Sequence, residues 1–328
     1  MKELVVISGK GGTGKTSVTA AFAALAGQKL MADCDVDAAD LHLVLRPEVQ
    51  ERHPFSGRKQ ATIDPGRCTA CGVCRDACRF DAIGERVGPA FVIDPLACEG
   101  CGLCRRLCPA DAVAFEPVVN GEWFVSSTPY GPLVHARLGV AEDNSGKLVT
   151  LVRNEARSLA EKTDLELVIV DGAPGIGCPV IASLAGVDLA LIVTEPTVSG
   201  RYDLERVGRL VAHFSIPVAV CVNKCDLNEG MAAEIERSAL AQGALFVSRV
   251  SYDPAVTAAQ VAGTTVVDYG DGAAARELRR LWDQVATALG HTQSRQPSAD
   301  AQSEEPRMQS AEPLIQTADT RLETGDTR

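Results

Sequence analysis

The chain has 328 residues, is 46% hydrophobic but only 4% aromatic, and carries a formal net charge of −11. At roughly 100–200 residues per domain there is room for two domains and a tail, with cores built from Val, Leu, Ile and Ala. The acidic balance argues against a general nucleic-acid binder, which needs clustered Lys and Arg, and no apolar run reaches the roughly 18 residues of a membrane helix.

The N-terminal apolar run Leu4–Ile7 is too short for a signal peptide. The expectation is a cytoplasmic protein with no nucleic-acid and no membrane partner. Twelve cysteines in that compartment point to metal rather than disulfides. Leu4–Ser8 reads as a strand buried on both faces. It runs into Gly9-Lys10-Gly11-Gly12-Thr13-Gly14-Lys15-Thr16, which fits G-x-x-x-x-G-K-[ST] between a strand and the helix Lys15–Ala26. Backbone N–H groups of such a loop face phosphate oxygens, aided by the helix N-terminus. Lys15 is expected to reach the β- and γ-phosphates and Thr16 to ligate Mg²⁺. Strand Lys29–Ala32 leads to Asp33-Cys34-Asp35.

Eight of the twelve cysteines follow, between Cys68 and Cys108. They form Cys68-x2-Cys71-x2-Cys74-x3-Cys78 and, 30 residues later, Cys98-x2-Cys101-x2-Cys104-x3-Cys108-Pro109. Asp64 and Asp94, and Asp81 and Asp111, keep the same 30-residue offset, so the segment is a duplicated half-module. This spacing is the bacterial ferredoxin run, in which the fourth Cys serves the other cluster. Cys68, Cys71, Cys74 and Cys108 are expected to hold one [4Fe-4S] cluster, and Cys98, Cys101, Cys104 and Cys78 a second. Structural zinc prefers two separated C-x2-C pairs, which three cysteines at this pitch do not provide. Gly72 and Gly102 follow the second Cys of each run, and Arg79 stands where a Pro is usual.

Glu166–Val170 is the next apolar strand, ending at Asp171-Gly172-Ala173-Pro174-Gly175. A carboxylate there suits Mg²⁺, and the glycines suit a loop that moves with the γ-phosphate. Cys178 lies seven residues beyond Asp171. Strand Asp188–Val193, helix Tyr202–Phe214, strand Pro217–Val222, helix Met231–Gln242 and helix Ala273–Leu289 complete the alternation. Asn223-Lys224-Cys225-Asp226 ends the last of these strands and suits base recognition, with Tyr252-Asp253-Pro254 as a second candidate wall. Taken alone, the N-K-x-D pattern fits either purine. Residues 291–328 are polar and Pro-containing, a composition expected to stay disordered.

Strand–helix alternation implies an α/β fold with a doubly wound, mostly parallel sheet. The expected organisation is an ATPase domain in two parts, 1–56 and 117–290, an inserted small α+β ferredoxin-like domain at 57–116, and the tail at 291–328. The second loop lysine, Lys10, resembles the deviant Walker A of the MinD/ParA/nitrogenase-iron-protein superfamily. The stretches Tyr130–Ala136, Asn144–Val149 and Thr194–Thr197 are similar to members that carry an inserted ferredoxin domain. Such members are often labelled cobyrinic acid a,c-diamide synthase-like, but the glutaminase domain that amidation requires has no counterpart in this sequence.

The resemblance implies ATP as the nucleotide, with Asn223 reading adenine. It also implies an ATP-dependent homodimer in which Lys10 reaches the partner's nucleotide. Asp35 then positions the attacking water or the Mg²⁺-bound water, and Asp171 holds Mg²⁺ through water. A subunit-bridging cluster at Cys178, as in the nitrogenase iron protein, needs a second cysteine that the sequence does not place. The expected activity is an ATPase that gates electron transfer or assists metallocofactor assembly, with a redox or assembly protein as partner. The alternatives are a ferredoxin-type carrier with structural nucleotide and a ParA-like positioning ATPase.

Overall fold

The computed structural model describes residues 1–84, 88, 90–139 and 145–290. The tail expected to be disordered lies outside the described residues. The strands are β1 (Lys2–Ser8), β2 (Lys29–Asp33), β3 (Glu48–Phe55), β4 (Arg58–Ile63), β5 (Val113–Val118), β6 (Gly121–Thr128), β7 (Gly131–Leu138), β8 (Leu167–Pro174), β9 (Leu189–Thr194), β10 (Val218–Asn223) and β11 (Val247–Val250). The helices are α1 (Lys15–Leu25), α2 (Leu41–Leu45), α3 (Val73–Asp76), α4 (Leu103–Leu107), α5 (Ser145–Lys162), α6 (Cys178–Leu184), α7 (Val198–His213), α8 (Glu229–Ala241), α9 (Pro254–Val261), α10 (Val266–Tyr269) and α11 (Ala273–Ala288).

Nine strands form one sheet in the order β11-β10-β9-β1-β8-β2-β7-β6-β3. From β11 to β7 the pairings are parallel, and β6 and β3 are added antiparallel at one edge. β1 and β9 are apolar throughout their centres because helices cover both faces of the sheet. On one face Phe22 of α1 packs with Trp282 of α11. On the other, Val149 and Val152 of α5, Val207 of α7 and Ile235 of α8 close a second core. The expected doubly wound α/β architecture is what forms. β8 runs on through Asp171 to Pro174, so Asp171 lies inside a strand rather than just after one.

The cysteine segment hangs from β3 and β6. Phe55 pairs with Gly121, and Gly121 pairs with Leu138 at the carboxyl end of β7. The segment therefore leaves the sheet at the same end as the loop after β1, at the antiparallel edge. Ribbon β4–β5 continues outward, with Arg58 opposite Val118 and Ile63 opposite Val113.

Beyond the ribbon the 30-residue repeat becomes a pseudo-two-fold. Asp64 N–H donates to Ala112 O at 2.8 Å and Asp94 N–H to Ala82 O at 2.7 Å. The bridge Ile83–Ile93 is the counterpart of Val113–Ile63. Asp64 and Asp94 each accept the N–H two residues on, in matching turns. Ala70 and Gly100 share left-handed backbone, as do Gly72 and Gly102, and Asp81 and Asp111. A small core of Cys74, Ile83 and Phe91 lies between the halves.

Candidate functional site

Helix α1 begins at Gly14, whose left-handed backbone (φ 91°) turns the loop into the helix. A Cβ there would lie 2.2 Å from Asn223 Nδ2, so a side chain at this position must displace Asn223. Asn223 Nδ2 donates to Thr13 O at 2.7 Å and Lys224 Nζ to Gly12 O at 3.0 Å. The end of β10 thus braces the loop after β1 from the side.

The first turn of α1 carries the charged centre. Lys15, 6% exposed, places Nζ 2.9 Å from Asp171 Oδ1 and 3.3 Å from Asp35 Oδ2. Thr16 Oγ1 donates to Asp171 Oδ2 at 2.9 Å, and Thr19 Oγ1 to Asp171 Oδ1 at 2.8 Å. Burial opposes the Lys15 charge, but Asp171 and Asp35 outweigh it and raise its pKa. Burial raises Asp35, against the pull of Lys15. Asp33 is raised well above the carboxylate range, first by burial and then by Asp171.

Two buried side-chain oxygens here, Thr13 Oγ1 and Asp33 Oδ2, have no hydrogen-bond partner among the described residues. Such atoms are costly unless a ligand completes them. In the sequence Asp33 belongs to the Asp33-Cys34-Asp35 motif, in which only Asp35 has an expected role. The signal for Asp33 is that it is the last residue of β2, paired with Asp171 across the sheet.

Ser8, the loop from Gly11 to Thr16, Asp35, Asn223, Tyr252 and Asp253 line a cavity of about 400 Å³. Tyr252 and Asp253 thus stand where the sequence put them, beside Asn223. Asp226 is not among the lining residues; its Oδ1 accepts the Tyr252 N–H at 2.6 Å and so positions that wall. Lys10 turns away from the cavity: its Nζ lies 2.5 Å from Glu195 Oε1 and donates to Ser199 Oγ at 3.0 Å. Glu195 also faces Lys224 at 3.5 Å. Burial opposes the Glu195 charge, yet the two lysines hold its carboxyl below the usual range.

In the cysteine segment, Cys68, Cys71, Cys74 and Cys108 line one small cavity, and Cys78, Cys98, Cys101 and Cys104 line a second. Ala70 N–H donates to Cys68 Sγ at 3.4 Å and Ala112 N–H to Cys108 Sγ at 3.3 Å. Among the described residues no three His, Cys, Asp or Glu side chains converge as ligands of a single metal ion. Cys178 is exposed at the start of α6, beside Gly146 of α5. Cys34 and Cys221 are buried apolar thiols, with burial pushing Cys221 up to about 12.

Among the described residues no helix is long and apolar enough to cross a membrane. Residues 4–266 match the CbiA family, described as the CobQ/CobB/MinD/ParA nucleotide binding domain. Protein MJ0578 of Methanocaldococcus jannaschii is 36% identical over 231 residues, 69% of this chain and 79% of its own length. Protein MJ0579 of the same organism is 26% identical over 300 residues, 87% and 98% respectively. Among solved structures, the fold is similar to the cell division ATPase MinD of Pyrococcus furiosus: TM-score 0.53, 19% identity, 87% of this chain and 98% of that one. The MinD–Mg-ADP complex from Pyrococcus horikoshii OT3 is similar at TM-score 0.53 and 18% identity, covering 88% and 97%. The chain belongs to the CobQ/CobB/MinD/ParA nucleotide-binding family of P-loop proteins, and its sheet is the mostly parallel α/β sheet of MinD.

Proposed function

We propose that the chain is a Mg²⁺-dependent ATPase switch that dimerises on ATP and carries two [4Fe-4S] clusters in the module rooted at β3 and β6. The observation that carries the ATPase reading is the convergence of Lys15, Asp35 and the unpartnered Thr13 at one cavity, with Asp171 held by Lys15 and the unpartnered Asp33 Oδ2 buried behind it. Mg²⁺, when bound, supplies charge neutralisation between the β- and γ-phosphates. Thr16, through a lone pair of Oγ1, and Asp171, through water, would hold it, and the Thr16 hydroxyl proton can stay on Asp171 Oδ2. Lys15 then exchanges its carboxylate neighbours for phosphate oxygens, and Asp35 orients the water. Lys10 leaves Glu195 and Ser199 to reach the partner's nucleotide, so Glu195 sets the cost of dimerisation.

The cluster reading is supported by the 3+1 division of the cysteines between two cavities and by the N–H donors aimed at Cys68 and Cys108 sulfurs. A single ion needs ligands converging on a point, whereas a cubane takes its four thiolates around a body. When bound, the clusters supply one-electron chemistry. The output of the switch is gated electron delivery or metallocofactor assembly, with a protein partner. Family membership favours a second reading, a ParA-like positioning ATPase, in which the module has another purpose.

Anaerobic purification with iron, sulfide and zinc counting, followed by ATPase assay and light scattering with and without ATP, tests both. Two clusters' worth of iron per chain, turnover lost in Lys15→Ala and dimerisation lost in Lys10→Ala are expected. Zinc in place of iron, together with salt-sensitive DNA binding by the ATP-bound form, would favour the ParA-like reading.

A further inference from the structure

A second cavity, about 570 Å³, lies between the segment that follows Asp35 and the antiparallel edge of the sheet. This is within the usual range for small-molecule sites, and it is separate from the nucleotide cavity. Its floor is the ribbon face on which Arg52 of β3, Phe124 of β6 and His135 of β7 sit side by side in register. Its roof is Val36, Asp37 and Ala39, with His42 from α2.

The lining carries two arginines, Arg52 and Arg137, and one carboxylate, Asp37. Arg52 lies over the Phe124 ring at 5.3 Å, and that ring stacks on His135 at 5.0 Å. Arg137 stands next to them. The two guanidiniums share a further carboxylate, Glu122, at 3.7 and 3.2 Å, which leaves most of their ten N–H donors uncommitted to it. His135 Nε2 is within 2.9 Å of Ser126 Oγ, and burial together with nearby His42 lowers its pKa to about 4. At neutral pH it therefore presents a flat, uncharged ring rather than a third cation. Val36, Pro47, Val49 and Leu138 supply apolar surface beside it.

We propose that this cavity binds a small acid with a flat apolar body, its oxyanion on Arg52 and Arg137 and its body on the Phe124–His135 wall. Guanidinium pairs suit carboxylate and phosphate equally, and the shared requirement is an oxyanion on a planar frame. Because one wall continues directly from Asp35, the occupant touches the segment that carries a nucleotide-site carboxylate.

The test uses the full chain saturated with Mg-ADP, so that the phosphate loop is filled. Sodium benzoate and phenyl phosphate are titrated separately while the ring C–H resonances of the five histidines are followed. Saturable movement of the His135 signal by at least one probe is expected, and the probe that acts identifies the oxyanion. The exposed pair Arg52→Gln/Arg137→Gln should weaken that binding at least tenfold. Ala39→Trp, which fills the cavity without removing charge, should do the same. The inference falls if neither probe moves His135 saturably, or if either variant binds like the parent. Failure of the ATPase reading shows separately, as absence of Mg-ADP binding, and the same titration is then run without nucleotide.

Discussion

Among the described residues Lys15 is the only cation in contact with Asp35 and Asp171, and its removal strands buried carboxylates. Breaking a buried pair in this way costs about 3–5 kcal/mol. Lys15→Gln is expected to lower urea stability by that order and to abolish nucleotide binding in a fluorescent-ATP titration. Asp33 gives the opposite prediction. Its folded pKa is raised, so its contribution is full below the unfolded pKa of about 3.9 and is lost as pH rises through the folded value. Asp33→Asn should melt with the parent near pH 4 and above it near pH 8; a difference that does not grow with pH would refute this. The loop Gly9–Thr16 was legible from its residues because a phosphate cradle constrains nearly every position. The partner of Lys10 was not: Glu195 is 185 residues away, and only the adjacency of β9 to β1 brings it near.

At the scale of elements, the left-handed position after the first two residues of each cysteine run separates conformation from space. Ala70 tolerates it at φ 55°, but at its equivalent, Gly100, a Cβ would lie 2.2 Å from Lys59 O. Gly100→Ala must therefore push ribbon β4 away. It should reduce iron content and raise hydrogen exchange across Arg58–Ile63, whereas Ala70→Gly should leave both near the parent. Thr197 caps α7 by accepting Gly200 N–H at 2.9 Å. Thr197→Ala should cost about 1 kcal/mol in chemical denaturation. The buried parallel strands were readable as apolar runs. β3 was not, because Glu48–Pro54 is solvent-facing and polar along nearly its whole length and gives no periodic signal. β6 and β7 carry alternating residues whose partner strand only the fold reveals. The Tyr130–Ala136 stretch, noted as a resemblance, proves to be the turn and the body of that hairpin.

At the scale of the molecule, the junction at Gly57 links the sheet to the module. Its N–H donates to Asn120 Oδ1 at 2.7 Å, and its carbonyl accepts from Lys147 Nζ at 2.8 Å. Lys147 lies one residue beyond Gly146, which abuts Cys178, so the same end of α5 touches both the module root and the segment after Asp171. Lys147→Met should speed hydrogen exchange at 57–63 and 113–120 while β1 and β8 stay protected; uniform exchange would show that the clamp carries no load. The cysteine segment stands out in the sequence because its 30-residue repeat contrasts with its surroundings. That it leaves from an antiparallel edge, at the nucleotide end of the sheet, depends on strand order, which no local pattern encodes.

The crossed arrangement of the two halves also imposes an order on biosynthesis. A ribosome releases Cys68, Cys71 and Cys74 first, yet their cavity is finished only by Cys108, the last of the eight. The set begun at Cys78 is complete at Cys104, four residues earlier. At about 5–20 residues per second the opening trio waits a few seconds for its fourth member. The site started first is the one completed last, and a nascent chain stalled between Cys104 and Cys108 would hold one full quartet and one trio of unshared thiols.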